Sequence, residues 1–391
     1  WQEAGRAGRA GEGLIVLILD KDPLNQFFVA HPHVLFDLHA EPVYCNPDNP
    51  YVVRGHLLYA ARELPLSDRE IPLFGPVAQS IAEQLKTNGM LVPIDGSDAW
   101  RLSPLGDAEV GNVSFRNLSF AIDVLTEDNR EAIVQVDAAR AQRALHKYAH
   151  YQHIDNYYEV TQFDVNFAAQ KGQILVRELE RPEYTTTADV GCIVQLRSEH
   201  MQRTIHHCTL TFGNVVSRTD VSGYYKVPLF ARNEPFAFQP LGRAAPPTLE
   251  YETQAIWITF ATQVLYDHST DEQIAGLYSL SGALRLATAV EELCDPLDIE
   301  AVGDVLHPDC SLPTIIIYDA TPGGIGIAED AFAKAEQIMQ RALSILVDCP
   351  YCSKHPESHG CPYCVTARFG DENTINRSLA IEIGQALFPK A

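Results

Sequence analysis

Four of the nine cysteines in this 391-residue chain are grouped as Cys349-Pro-Tyr-Cys352 and Cys361-Pro-Tyr-Cys364. A two-residue gap within each pair lets both thiolates reach one ion while nearby backbone N–H groups bond to the sulfurs. Four thiolates complete a tetrahedron and leave no open position, so the chemistry is that of a structural zinc rather than a catalytic one. Such sites contribute on the order of 10 kcal/mol in apparent binding free energy. An iron–sulfur cluster or a pair of disulfides would use the same residues, and ligand softness alone does not separate iron from zinc. His355 and His359 lie in the loop between the pairs and are expected to remain free, because four thiolates are available.

The second set opens the chain. Gly5-Arg6-Ala7-Gly8-Arg9 places two arginines three apart, each preceded by a glycine. Glycine lets the backbone approach a ligand closely. Arginine offers a planar fork that matches phosphate oxygens, as a site needs if it stabilises charge on a transferring phosphoryl group. The alternative on composition is a Gly-Arg-rich tail. The run Leu14 to Leu19 that follows reads as a fully buried strand. An arginine loop entering a buried strand at the first residues predicts that residue 1 is a cut and that most of an enzyme lies upstream.

Gln2-x-x-Gly5-Arg6-x-Gly8-Arg9 resembles the sixth motif of superfamily 2 helicases, which closes the second RecA-like lobe. The resemblance implies that Arg6 and Arg9 reach ATP, with its Mg, between two lobes, that Gly5 and Gly8 shape the nucleotide loop, and that Gln2 couples nucleotide to nucleic acid. Asp22-Pro-Leu-Asn-Gln-Phe-Phe, His31-Pro32, Asn46-Pro-Asp-Asn-Pro-Tyr51 and Gly55-His-Leu-Leu are similar to the bacterial mitomycin-repair (Mrf-type) helicases and their RecQ-four-like relatives. Asn25 stands where that family is expected to carry Asp. Pro313-Thr-Ile-Ile-Ile-Tyr-Asp-x-x-Pro-Gly-Gly-x-Gly, followed by the four cysteines, resembles the same family's C-terminal zinc-binding domain. Cys349, Cys352, Cys361 and Cys364 match its zinc ligands one for one, whereas histidines expected around Tyr278 to Gly282 are missing.

Composition bounds the reading. Apolar residues make up 46% and charged residues 20%, which is globular, and the length allows two to four domains. A net charge of −22 repels phosphate backbones, so this fragment alone should bind DNA weakly, and an upstream helicase core is expected to supply much of any DNA affinity. No apolar run reaches membrane-spanning length. Cys45, Cys192, Cys208, Cys294 and Cys310 are scattered and read as reduced core residues, which fits a cytoplasmic protein.

The fold class expected is mixed α/β and β, in four parts. Residues 1–42 are the end of a RecA-like lobe, with a short helix over 24–31. Residues 43–110 hold two helices, 51–64 and 76–86, then a hairpin about Asp95-Gly96, which suggests a winged helix. Trp100 beside that turn either stacks on a base or packs beneath the wing. Residues 111–247 carry short alternating strands, 204–212 among them, and suggest an antiparallel, oligonucleotide-binding-like barrel or sheet. A helix over 137–150 interrupts them and places Arg140, Arg143 and Lys147 on neighbouring turns. Arg197, His200, Arg203, His206 and His207 form another cationic group, and both groups either meet phosphates or are solvated faces. Pro235 to Pro247 reads as a linker. Residues 248–391 are an α/β zinc domain with a strand at 253–260, a helix at 271–293, a strand at 312–319, a helix running to Leu346 and a closing helix at 376–387.

Asp319-Ala-Thr-Pro-Gly-Gly-Ile-Gly, between a strand and a helix, either cradles a phosphate or is a tight packing turn. It lacks the Gly-Lys-Ser/Thr of a P-loop. Glu291 and Glu292 read as solvated. No Walker lysine or Asp-Glu-x-His box is present, so this polypeptide alone should not hydrolyse ATP. Two functions follow. One is the C-terminal part of an ATP-dependent DNA helicase working on single-stranded or forked DNA, moving 3′ to 5′ in repair. The other is a zinc-stabilised scaffold for a partner such as a nuclease.

Overall fold

The computed structural model describes residues 4–8, 11–19, 23–37, 43–110, 121–167, 171–229, 236–361, 363–365 and 374–389. Residues 12–19 form no strand, and Leu14 and Ile18 are 87% and 89% exposed. The expectation of a buried strand is therefore corrected: an apolar run is buried only where a neighbour pairs with it, and none does among the described residues. Helices α1 (Pro23–Ala30) and α2 (Pro32–Asp37) follow. Phe27 of α1 is buried in the core of the last part of the chain.

The next unit has its own core. Asn49 caps α3 (Pro50–Glu63) by accepting from the Tyr51 and Val52 N–H groups, and Pro50 suits the first turn. Then come β1 (Leu66–Ser67), α4 (Ala78–Thr87), β2 (Leu91–Pro93), β3 (Ala99–Leu102) and α5 (Pro104–Val110). The sheet order is β1-β3-β2, all antiparallel. Leu57, Leu58, Ile71, Leu85 and Leu91 fill the space between helices and sheet.

The third part begins with β4 (Ile122–Thr126), β5 (Ala132–Val136), α6 (Ala138–Ala144), β6 (His150–His153), β7 (Asn156–Asn166) and β8 (Lys171–Leu179). They make a sheet of order β5-β4-β8-β7-β6, in which β4 and β8 run parallel, so it is a mixed open sheet rather than an antiparallel barrel. Residues 111–120, where the series of strands was expected to begin, lie outside the described residues. Helix α6 ends at Ala144 instead of running to His150: a tight turn closed by the Ala149 N–H on His146 O, with Tyr148 at φ 70°, leads the chain into the sheet, where the Tyr148 N–H donates to Val160 O.

Two long strands, β9 (Tyr184–Ile205) and β10 (Cys208–Pro228), form a hairpin that turns at His206 and His207, with His206 at φ 50°. The expected strand 204–212 is thus split by this turn. β11 (Ala237–Pro240) pairs with β10, so part of the expected linker is sheet. β10 also pairs along β12 (Leu249–Phe260), which pairs with β14 (Thr314–Asp319), and β13 (Ile299–Asp304) closes that edge. This sheet runs straight across residue 247, where a boundary was expected.

Helices α7 (Thr270–Glu292), α8 (Ile327–Ala333), α9 (Ala335–Val347) and α10 (Arg377–Leu387) cover one face of the large sheet. The α7 start is a capping box in which the Ser269 hydroxyl and the Glu272 carboxylate each bond the other's backbone N–H. α8 and α9 are separate helices meeting at Lys334, where one continuous helix was expected. Alternation along β12 sends Ile256 and Ile258 to the helices and Ala255 and Trp257 to the opposite face.

Candidate functional site

The four cysteines converge where α9 stops. All are buried, and their sulfurs lie within 4.8 Å of one another. Cys349 Sγ is 3.3 Å from Cys361 Sγ, and Cys364 Sγ is 3.8 Å from that of Cys352 and 3.7 Å from that of Cys361. Tetrahedral bonds of about 2.3 Å to one zinc put sulfurs about 3.8 Å apart, so the set fits a single ion. A disulfide needs about 2.05 Å, and none of the described cysteines is bonded. The knuckles form as the spacing predicts: backbone N–H groups of Tyr351 and Cys352 donate to the Cys349 sulfur, and that of Tyr363 donates to Cys361.

Neighbouring S–H groups of Cys361 and Cys364 pull Cys349 far down, to about 2. Donating to that thiolate pushes Cys361 up to about 12 and Cys364 higher still. His355 stacks on Tyr351 at 4.4 Å and its Nδ1 is 3.4 Å from Glu357, so it is not one of the four ligands. Arg377 fastens the knot, its N–H donating to His359 O at 2.9 Å and its Nε to Leu346 O at 2.7 Å.

Of the arginine loop, Gly5, Arg6 and Gly8 are described, and Gln2 and Arg9 lie outside the described residues. Arg6 ends a short 3-10 turn, Ala4–Arg6, and is exposed. Gly8 sits at φ +71° against Gly13, and a Cβ on it would meet Gly11 O at 2.9 Å, so this turn requires glycine.

The Gly-rich turn is occupied by the protein's own groups. The Asp319 carboxylate accepts from the N–H groups of Ile325, Gly326 and Ala328 at 2.6, 3.0 and 2.9 Å, taking the donors a phosphate would need. Burial raises Asp319 to about 6 in spite of those bonds. Asn49 Nδ2 donates to Pro322 O and Gly324 O, both at 2.8 Å. The turn therefore packs the helical unit onto the zinc domain, as in the tight-turn alternative.

The cationic candidates are dispersed. Arg143 leaves α6 to pair with Glu300 on β13 at 2.5 Å, so it is committed to holding two sheets together and not available to phosphate. Arg140 is exposed on α6, while Lys147 lies beyond the helix, its Nζ 5.1 Å from the Tyr148 ring centroid. Arg203 is likewise engaged, donating to Phe332 O at 2.6 Å. Trp100 is half-buried: its Nε1–H donates to Asp68 at 2.9 Å and Lys86 Nζ lies 4.2 Å over its ring.

Sequence reasoning missed a buried cluster. Glu292 is fully buried, not solvated, and its Oε2 accepts from Tyr44 OH and Lys334 Nζ, both at 2.6 Å. Burial, then the bond to Glu292, raises the Tyr44 hydroxyl well above its usual value. Tyr44 and Glu292 are 248 residues apart, so no local pattern announced the contact. Cys45 is exposed, against the expectation of a core residue.

A zinc domain fused to a large sheet and a small helical unit is what comparison with known proteins returns. The sequence profile described as the MrfA Zn-binding domain matches residues 280–365, which take in all four cysteines. The chain is similar in sequence and fold to the C-terminal part of Mrf-type helicases. The ATP-dependent helicase YprA of Bacillus subtilis is 29% identical over 93% of this chain and 47% of its own length. The ATP-dependent helicase HRQ1 of Saccharomyces cerevisiae is 24% identical over 96% of this chain and 35% of its own. The chain thus spans about half the length, or less, of these curated relatives. A crystal structure of the helicase MrfA bound to DNA superposes with a TM-score of 0.52 at 26% identity, over 99% of this chain and 49% of that one. Another of MrfA alone shares the fold, with a TM-score of 0.63 at 22% identity, over 95% of this chain and 50% of that one.

Proposed function

We propose that this chain is the C-terminal part of an ATP-dependent DNA helicase that moves 3′ to 5′ on single-stranded or forked DNA in repair, in the cytoplasm. The observation that carries the reading is the buried four-thiolate knot inside a profile match to the MrfA Zn-binding domain. In the whole enzyme, ATP and Mg bind between an upstream core and the loop of residues 2–9. Gly5 and Gly8 let that loop close on the nucleotide, Arg6 and Arg9 stabilise charge on the transferring phosphoryl group, and Gln2 links nucleotide to DNA. Leu14 to Leu19, exposed here, would complete the sheet of that lobe. The helices and β1-β3-β2 sheet of residues 50–110 act as a winged helix, with Trp100 and Arg140 near the DNA. Zinc, held by Cys349, Cys352, Cys361 and Cys364, is structural and supplies folding energy. The chain lacks Walker motifs and hydrolyses no ATP by itself. The scaffold alternative gains no support from relatives described as helicases. Arg6→Ala and Arg9→Ala in the full-length protein should each lower DNA-stimulated ATPase by about a thousandfold, and unimpaired hydrolysis in both would sink the assignment.

A further inference from the structure

We propose that a cleft on the sheet face opposite the helices binds a small zwitterion of the amino-acid type. The cleft holds about 330 Å³, at the small end of the range for ligand pockets. Its floor is β10 and β12, one wall is β9, and the loop of residues 309–312 before β14 forms the other. Trp257 lies in the floor, opposite Thr211 in the β10–β12 register. The tryptophan is 2% exposed, yet its indole N–H has no acceptor among the described residues. That N–H is not sealed from the cleft its ring lines. A buried donor left unbonded is costly, so the position calls for an acceptor from outside the chain.

The β9 wall is built by two irregularities. Leu196, Arg197, Ser198 and Glu199 all line the cleft, whereas a regular strand sends successive side chains to opposite faces. The pairing with β10 slips at both ends of this run: Leu196 faces Val215 but Ser198 faces Asn214, and Glu199 faces Gly213 but Met201 faces Phe212. Bulges of this kind re-aim side chains and recur beside working sites. Gly213 makes the room. A Cβ on it would collide with Ser198 O and lie 2.9 Å from Trp257 Cη2. The facing loop is fastened to the same strand, Asp309 accepting from the Leu196 N–H at 2.8 Å while His307 Nε2 lies 2.9 Å from Val194 O.

The free groups set the chemistry. Besides the indole N–H, the Ser198 and Thr259 hydroxyls have no partner among the described residues, and Arg197 meets only Gln195 Oε1, at 2.9 Å. Donors converging in this way suit a carboxylate. Glu199 and Asp309 stand exposed at the mouth, and neither pairs with Arg197. Two carboxylates there would repel a simple anion, and Arg197 would repel a simple cation. A molecule carrying a carboxylate and an ammonium satisfies both. Leu196 and Leu312 on the walls suit an apolar side chain beside them. No group assigned to nucleotide, DNA or zinc takes part, so the site stands apart from the motor reading.

The probe is radiolabelled L-leucine in equilibrium dialysis against the full-length, zinc-loaded protein. Saturable binding is expected, with a Kd of about 1 mM or tighter. Isocaproate, which lacks the ammonium, and isoamylamine, which lacks the carboxylate, should each compete at least about tenfold more weakly than unlabelled leucine. Arg197→Gln and Glu199→Gln, both at exposed positions, should each weaken leucine binding by about tenfold, with zinc content and melting temperature as in wild type. Absence of saturable leucine binding, unchanged binding in both variants, or isocaproate competing as well as leucine overturns the proposal.

Discussion

Removing the metal should unfold one part of the molecule and leave another intact. Cys349 and Cys361 are 12 residues apart, and bridging them through one ion closes that loop. Closing a loop of about 15 residues is worth about 3 kcal/mol in chain entropy, which sets a floor for the loss. The cysteines share a core with Ile345, Leu346, Ile375 and Leu379, whereas Leu57, Leu58 and Leu85 form a separate core around α3 and α4. The loss should therefore be felt by the large sheet and its helices first. Two tryptophans report on the two regions: Trp257, 2% exposed in β12, and Trp100 in β3. Urea unfolding would be followed by fluorescence in variants that keep one of them, with Trp1 replaced by Phe, before and after chelation. With a slope of about 3 kcal/mol per molar urea, the Trp257 midpoint should fall by at least about 1 M and the Trp100 midpoint should stay nearly still. Superimposable Trp257 curves, or an equal fall at Trp100, would refute the reasoning, as would a native protein without bound zinc.

Two further outcomes follow from buried carboxylates. Lys334→Met leaves Glu292 with Tyr44 as its remaining charge-assisted partner, and should cost about 2 kcal/mol, discounted from the usual penalty because Lys334 is 37% exposed. Adding Glu292→Gln should recover most of that loss in a double-mutant cycle read by urea midpoint, and additive losses would show that no pairing existed. Asp319 is raised from 3.8 to about 6, so the native state holds a proton that the unfolded chain has released. Its contribution is complete below about pH 4 and is lost as pH rises through about 6, a swing of about 3 kcal/mol. Asp319→Asn should remove that component, so the difference in midpoint between variant and wild type should change between pH 4.5 and 7. A constant difference would contradict the assignment.

What was legible in the sequence was whatever is local. The Cys-x-x-Cys pairs carry their geometry within four residues each, and the knot formed as their spacing requires. The helices expected at 51–64 and 271–293 formed within a residue of those starts, because Asn49 and Ser269 cap them through neighbours two or three residues on. Contacts distant in sequence were not readable. Arg143 looked like a surface cation because its partner, Glu300, is 157 residues away. Glu292 looked solvated because the groups that bury it come from Tyr44 and Lys334. The boundary expected near residue 247 followed from prolines, yet β10 and β12 pair across it over twelve residue positions. Register between long strands is decided by which faces are buried, and a proline-rich connection does not reveal that.

The zinc domain is fastened to the segment that precedes the helical unit. Residues 23–49 lead from the arginine loop towards the helical unit, and they are fastened to the zinc domain at three places. Phe27 is buried in the same core as the cysteines. Tyr44 bonds Glu292 at the end of α7. Asn49 bonds the Gly-rich turn with one end of its side chain and caps α3 with the other. A force on α1 therefore meets α7 and α9 before it reaches α3. The knot at the end of α9 is held also by Arg377 of α10, so it closes that route. Such an arrangement ties the cysteine knot to the segment that leads into α3.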